Sequence, residues 1–122
     1  MIKLPQTEEQ LMEYIWELNE AFAKDLSDKY QSPKPAQTTL ATLLKRLTDK
    51  GFINYKTFGN SRAYFPIIKK EDYFTVHINN MVESYFDNSA LKFASFFTKK
   101  SKMSKEELEE LKKIVEDQLK KQ

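Results

Sequence analysis

A chain of 122 residues has room for one compact domain, or a small domain with an appended oligomerisation element, and excludes a large catalytic scaffold. It has no cysteine for disulfides or thiolate metal sites, no apolar run near the roughly 20 residues that cross a bilayer, and no signal-peptide pattern in MIKLPQTEEQ, so a soluble cytoplasmic protein without membrane insertion is expected. The net charge of +2 hides an asymmetry: from Lys34 to Lys70 eight bases stand against the single acid Asp49, a basic face suited to a polyanion unless it is ordinary solvated surface.

Thr7-Glu8-Glu9-Gln10 has the spacing of a capping box and predicts a helix start. Leu11, Ile15, Leu18 and Phe22 then recur at helical spacing, with Met12 and Trp16 beside them. A shorter helical stretch over about 22–30 carries Phe22, Leu26 and Tyr30 on one side, and Ser32-Pro33-Lys34-Pro35 breaks it. Pro35 suits the first turn of a third helix, with Leu40, Leu43, Leu44 and Leu47 at i, i+3, i+4 and i+7 and Gly51 as its stop.

Two short β-rich segments, FINYKTF and AYFPI, flank Gly59-Asn60-Ser61-Arg62 as a hairpin with a polar, partly basic tip. Helix, helix, helix, hairpin is the order of a winged helix-turn-helix, an order that other small α+β folds share. The expected fold is mostly α with a small β-hairpin wing.

Beyond Pro66 the character changes. Phe74, Ile78, Met81, Val82, Tyr85 and Phe86, with Tyr73, make a long helix more apolar than a solitary surface helix tolerates. Asp87-Asn88-Ser89 interrupts it, and Leu91 to Phe97 forms a further piece. Ser104 and Glu107 then open a last helix striped with Leu108, Leu111, Val115 and Leu119. Residues 71–122 are too few for a second core, so they are expected to form a helical dimerisation region behind a DNA-binding domain at 1–70, packing on a second copy. Phe74, Ile78, Met81, Val82, Tyr85, Phe86, Leu108, Leu111 and Val115 are the candidate dimer residues.

The third helix carries the functional signal. Stepping 100° per residue from Leu40 gathers the leucines on one side and places Thr38, Thr42, Lys45 and Asp49 opposite, with Arg46 nearby. Threonines cost helix propensity where Glu, Lys or Gln would serve solubility better, so they make more sense as short contact groups. In a helix-turn-helix, Gln37, Thr38, Thr39 and Thr42 would face base edges in the major groove. Lys45, Arg46 and Lys56 would meet phosphates, and Arg62 at the hairpin tip would reach the backbone or minor groove.

These residues resemble the penicillinase-repressor family, the BlaI/MecI regulators, through EEQLMEYIW, TTLATLLKRLTDKGF, RAYFPI and MSKEELEELKKI, the second motif being the most specific. The resemblance implies a dimeric winged-helix repressor of double-stranded DNA at palindromic operators, with the recognition motif on Thr38, Thr39, Thr42, Lys45 and Arg46 and the basic wing residue at Arg62. It also implies a membrane-bound sensor metalloprotease that triggers cleavage between an Asn and a Phe before the last helix. The corresponding bond here is Phe96-Phe97, without the asparagine. The copper-responsive branch of the family uses C-terminal cysteines, which this chain lacks.

No enzyme is indicated. His77 is the only histidine, Glu8-Glu9 and Glu106-Glu107 sit at helix starts, and only two glycines, Gly51 and Gly59, are present, so no metal or cofactor site is expected. Two other readings stay open. The aromatics from Tyr73 to Phe97 would line a small-ligand pocket in a ligand-responsive regulator, and a winged helix can serve protein contact alone, with weak, sequence-indifferent DNA affinity.

Overall fold

Alternating apolar and polar turns make α1 (Gln6–Leu18) an amphipathic helix whose Leu11, Met12 and Ile15 are buried. The computed structural model describes residues 1–122 and divides into two compact units, Met1–His77 and Ile78–Gln122. The capping box expected at Thr7 is not formed. Pro5 is the N-cap, and its carbonyl accepts the Glu9 amide at 2.9 Å, so the helix begins one residue before Thr7. Proline suits this entry because the amide it lacks would have no helical partner anyway.

The second helical stretch also begins differently from its sequence pattern. Ala21–Phe22 forms β1, a two-residue strand, and α2 (Ala23–Lys29) starts after it, with the Phe22 amide donating to the Asp25 carboxylate at 3.0 Å. Phe22 is therefore a strand residue, and only Leu26 of the expected stripe is fully buried. Pro35 precedes the N-cap Ala36 of α3 (Gln37–Asp49) instead of lying in its first turn.

The stop of α3 is as its sequence indicates. Gly51 adopts φ 80°, its amide donates to Thr48 and the Phe52 amide donates to Leu47, each at 3.0 Å. This paired closure needs a left-handed residue after the cap, and the buried Leu47 and Phe52 are the apolar contact that accompanies it. The chain then enters β2 (Ile53–Phe58), turns through Gly59 and Asn60, and returns as β3 (Ser61–Pro66). Ser61 and Arg62 are strand residues paired with Phe58 and Thr57, so the tip is shorter than expected. The sheet is antiparallel in the order β1-β3-β2, one strand more than the hairpin alone.

One core holds the first unit together. Leu11, Met12 and Ile15 of α1, Leu26 of α2, the four leucines of α3, Phe52, Ile53 and Tyr64 meet around Tyr73, which belongs to α4 (Lys70–Tyr85) and is fully buried. The Tyr73 hydroxyl accepts the Leu4 amide at 2.9 Å and donates to Glu9 at 2.7 Å, while its ring lies against Phe52 and Trp16. The start of α4, through His77, is thus part of the first unit. A second tie joins α1 to the end of α3: Glu8, buried to 2% exposure, pairs with Lys50, the cap residue of α3.

The second unit holds the rest of α4, then α5 (Ala90–Lys100) and α6 (Lys105–Lys120). Asp87 and Asn88, both at positive φ, break α4 from α5, and Ser89 caps α5 by accepting the Lys92 amide. The capping box of α6 is formed reciprocally between Ser104 and Glu107, both bonds 3.1 Å. Phe86 packs on Phe93 and Phe96, yet no residue from 78 to 122 is buried.

Two expectations test this account. Lys50→Met leaves Glu8 without a partner and should lower the unfolding free energy by about 3 kcal/mol, the low end for a broken buried pair, because 27% of the Lys50 side chain still meets water. Combining it with Glu8→Leu should recover most of that loss in urea titrations followed by Trp16, the only tryptophan; a double variant no more stable than the single one would assign the cost to packing instead. The second concerns pH. Burial opposes ionisation of Glu9, but hydrogen bonds from Lys3 and Tyr73 outweigh it and hold the carboxyl below its ordinary value of 4.5. A depressed carboxyl contributes stability above its unfolded pKa and loses it as pH falls through the folded one. Stability should therefore decline as pH drops below about 4.5, and Glu9→Gln should flatten that decline in melts at stepped pH.

Candidate nucleic-acid interface

Burying Leu40, Leu43, Leu44 and Leu47 leaves the other side of α3 no option but solvent, and Gln37, Thr38, Thr39, Thr42, Lys45 and Arg46 are all exposed. The Thr42 hydroxyl donates to the Thr38 carbonyl at 2.9 Å, which occupies its proton and leaves its oxygen free to accept. Lys45 pairs with Asp49 at 2.8 Å, an exposed i, i+4 pair worth only about 0.3–0.5 kcal/mol, so a phosphate can displace the carboxylate at little cost.

Strand register sorts the wing residues between two faces. Tyr55 pairs with Tyr64 and Thr57 with Arg62, which places these four side chains on one face, the one toward α3. The Arg62 guanidinium lies 4.3 Å from the centroid of the Tyr55 ring, and Tyr55 leans on Tyr64 at 5.6 Å. Lys56 pairs with Ala63 and so faces the opposite side, where it meets Glu20 at 3.3 Å and lies over the Phe65 ring. Arg62 and Lys56 therefore do not form one cluster. Arg62 is a strand residue stacked beside α3, and Lys56 sits behind the sheet.

Around Arg62 the surface is concave. One cleft runs between α3 and the sheet and is lined by Ala41, Lys45, Thr48, Tyr55, Arg62 and Tyr64 together with Asp49. A second lies between α2 and α3, where Lys24, Ser27, Gln37 and Ala41 surround an apolar floor of Leu40 and Leu44. A third lies between the start of α2 and the wing, with Lys24, Asn60, Ser61 and Arg62 at its edges. Tyr64, only 9% exposed, lines all three. Sequence reading passed over Tyr64, Tyr55 and Lys24. The two tyrosines become visible only once a two-residue turn sets the pairing, and nothing local marks Lys24.

The expected dimer residues fall in two places. Phe74 packs against the core of the first unit, 5.9 Å from Trp16 and 5.1 Å from Tyr73 between ring centroids, so it is occupied within its own unit. In the second unit Ile78, Met81, Tyr85, Leu108 and Val115 are exposed, and Val82, Phe86 and Leu111 are half-buried. Leu91, Phe96, Phe97, Ile114 and Leu119 add to this apolar surface. His77 lies edge-on to Tyr73 at 4.4 Å as a packed histidine, and no cluster of His, Asp and Glu is placed to hold a metal ion. No helix is long and apolar enough to cross a membrane.

Known proteins share this organisation. The family model for the penicillinase repressor matches residues 4–117. A penicillinase repressor of Bacillus licheniformis is 29% identical over 96% of this chain and 94% of its own length. The methicillin resistance regulatory protein MecI of Staphylococcus aureus is 25% identical over 93% of each chain. Among solved structures, the DNA-binding domain of the repressor BlaI, determined in solution, superimposes with a TM-score of 0.50 at 28% identity, covering 60% of this chain and 94% of that domain.

Proposed function

We propose, because this chain belongs to the penicillinase repressor family and is a DNA-binding repressor, not an enzyme, that it acts as a homodimer on a palindromic operator. The observation that carries this reading is the exposed threonine and base face of α3, presented beside Arg62 with no acid but Asp49 among the residues lining the cleft between them. Gln37, Thr38, Thr39 and Thr42 are the groove-facing set, in which Gln37 offers a donor and an acceptor to adenine and a threonine methyl packs on a thymine methyl. Lys45, Arg46 and Arg62 neutralise phosphates. Lys56, behind the sheet, contributes to the general positive field without sharing that face.

Dimerisation is supported by the second unit, whose three helical segments all carry exposed apolar side chains and bury none. Such a surface is expensive in water, and a second copy of the same unit supplies matching helices through a two-fold contact. Two recognition helices then meet successive major grooves roughly 34 Å apart, and occupancy of the operator excludes polymerase without any catalytic residue. The site of action is the cytoplasm, where the operator is.

Release by a sensor-linked protease has no matching Asn-Phe bond at Phe96-Phe97. Both residues lie inside α5, about half exposed, where a protease would need the backbone extended, and the asparagine expected before the bond is absent.

Selection from a pool of random duplexes should yield a two-fold symmetric site that the full chain prefers over random DNA at 0.15 M salt, roughly physiological; equal affinity for both would leave only a nonspecific binder or a protein-contact module. Lys45→Ala and Arg62→Ala should each weaken binding to every duplex and lower the salt slope by about 1.8, roughly 0.9 for each protomer, whereas Thr38→Ala should relax preference at one base pair per half-site. In sedimentation the full chain should run as a dimer at micromolar concentration, and Val115→Glu should shift it to monomer.

A further inference from the structure

We infer that Lys24 and Arg62 form a phosphate clamp, gripping one DNA strand in the cleft between the start of α2 and the wing; this rests on the DNA-binding reading above and adds to it a contact outside the recognition helix. The cleft, about 490 Å³, is lined by Phe22, Ala23, Lys24, Asn60, Ser61, Arg62 and Tyr64. Two cations and two small polar side chains stand around it, and no acid does. Carboxylates on the adjoining elements are committed elsewhere: Asp25 accepts the Phe22 amide, Asp28 pairs with Lys34, Glu20 pairs with Lys56 behind the sheet, and Asp49 pairs with Lys45.

Neither Lys24 nor Arg62 has an ion-pair partner in the chain, although eight other basic side chains do. Lys24 is exposed and Arg62 is pre-positioned, because the Tyr55 ring holds its guanidinium at 4.3 Å. A flexible ammonium opposite a fixed guanidinium suits a phosphodiester, which accepts from both without a required base identity. Lys24 and Tyr64 also line the groove that reaches Gln37, so the strand held in this cleft leads to the base-reading end of α3. The clamp thereby sets the register in which Thr38 and Thr42 meet base edges.

The test uses the full chain with a duplex selected by it from a random pool and a random duplex of equal length. Lys24→Gln should lower the slope of log affinity against log salt by about 1.8 on both duplexes, roughly 0.9 for each protomer of the dimer, Lys24→Arg should restore it, and Lys99→Gln in the second unit should leave it unchanged. On duplexes carrying one neutral methylphosphonate at each position in turn, the wild-type chain should lose affinity at a position to which Lys24→Gln is indifferent. An unchanged slope for Lys24→Gln, an equal change for Lys99→Gln, or the same methylphosphonate profile for both proteins would overturn the clamp. Failure of the wild type to prefer the selected duplex would instead overturn the operator reading, because the slope is still read on random DNA.

Discussion

The four buried leucines of α3 constrain everything that the first unit presents. Each contributes about 1.5–3 kcal/mol by leaving water, and they sit on one side of a helix thirteen residues long, so the rotation of α3 about its axis is settled by the core. Turning the helix by a single residue step would expose leucine and bury threonine or lysine without partners. The polar face is therefore a consequence of packing as much as of its own residues. Two ties at the end of α3 hold this rotation: the left-handed closure at Gly51, and the buried pair that joins Lys50 to Glu8 of α1.

The wing depends on parity. A two-residue turn at Gly59-Asn60 sets odd residues of β2 against even residues of β3, which brings Tyr55, Tyr64 and Arg62 to the face beside α3 and sends Lys56 to the other. One residue more in the turn would exchange the two faces. Chemical type alone assigns Lys56 and Arg62 the same role, and only the register separates them. The same parity gives Arg62 an aromatic seat in Tyr55, which orders a long flexible side chain.

The two units stand on different physics. The first closes around Tyr73, whose ring and hydroxyl satisfy an apolar core and a polar network at once. The second has well-formed caps at Ser89 and Ser104 and an aromatic cluster at Phe86, Phe93 and Phe96, but nothing in it is buried. Caps define where helices begin and contribute about 1 kcal/mol each, and they do not replace a core. The dimer proposed above would supply the missing burial, and would couple the amount of folded protein to its concentration.

The sequence by itself determined the helices, their apolar faces, the stop at Gly51, the reciprocal cap of α6 and the exposed threonine and base face of α3, because these arise from local spacing and backbone preference. It misplaced the caps at Thr7 and Pro35 and read Phe22 as helical, since a proline and a two-residue strand pairing compete there with equally good local patterns. Only the tertiary structure decided that Phe74 belongs to the first core, that Lys56 and Arg62 part company, and that Lys24 and Tyr64 border the same clefts as Arg62 and α3. Those facts depend on which strands pair and which helices touch. Leu4 and Tyr73 meet across 69 positions and Trp16 and Ile68 across 52, and spacing along the chain carries no record of such contacts.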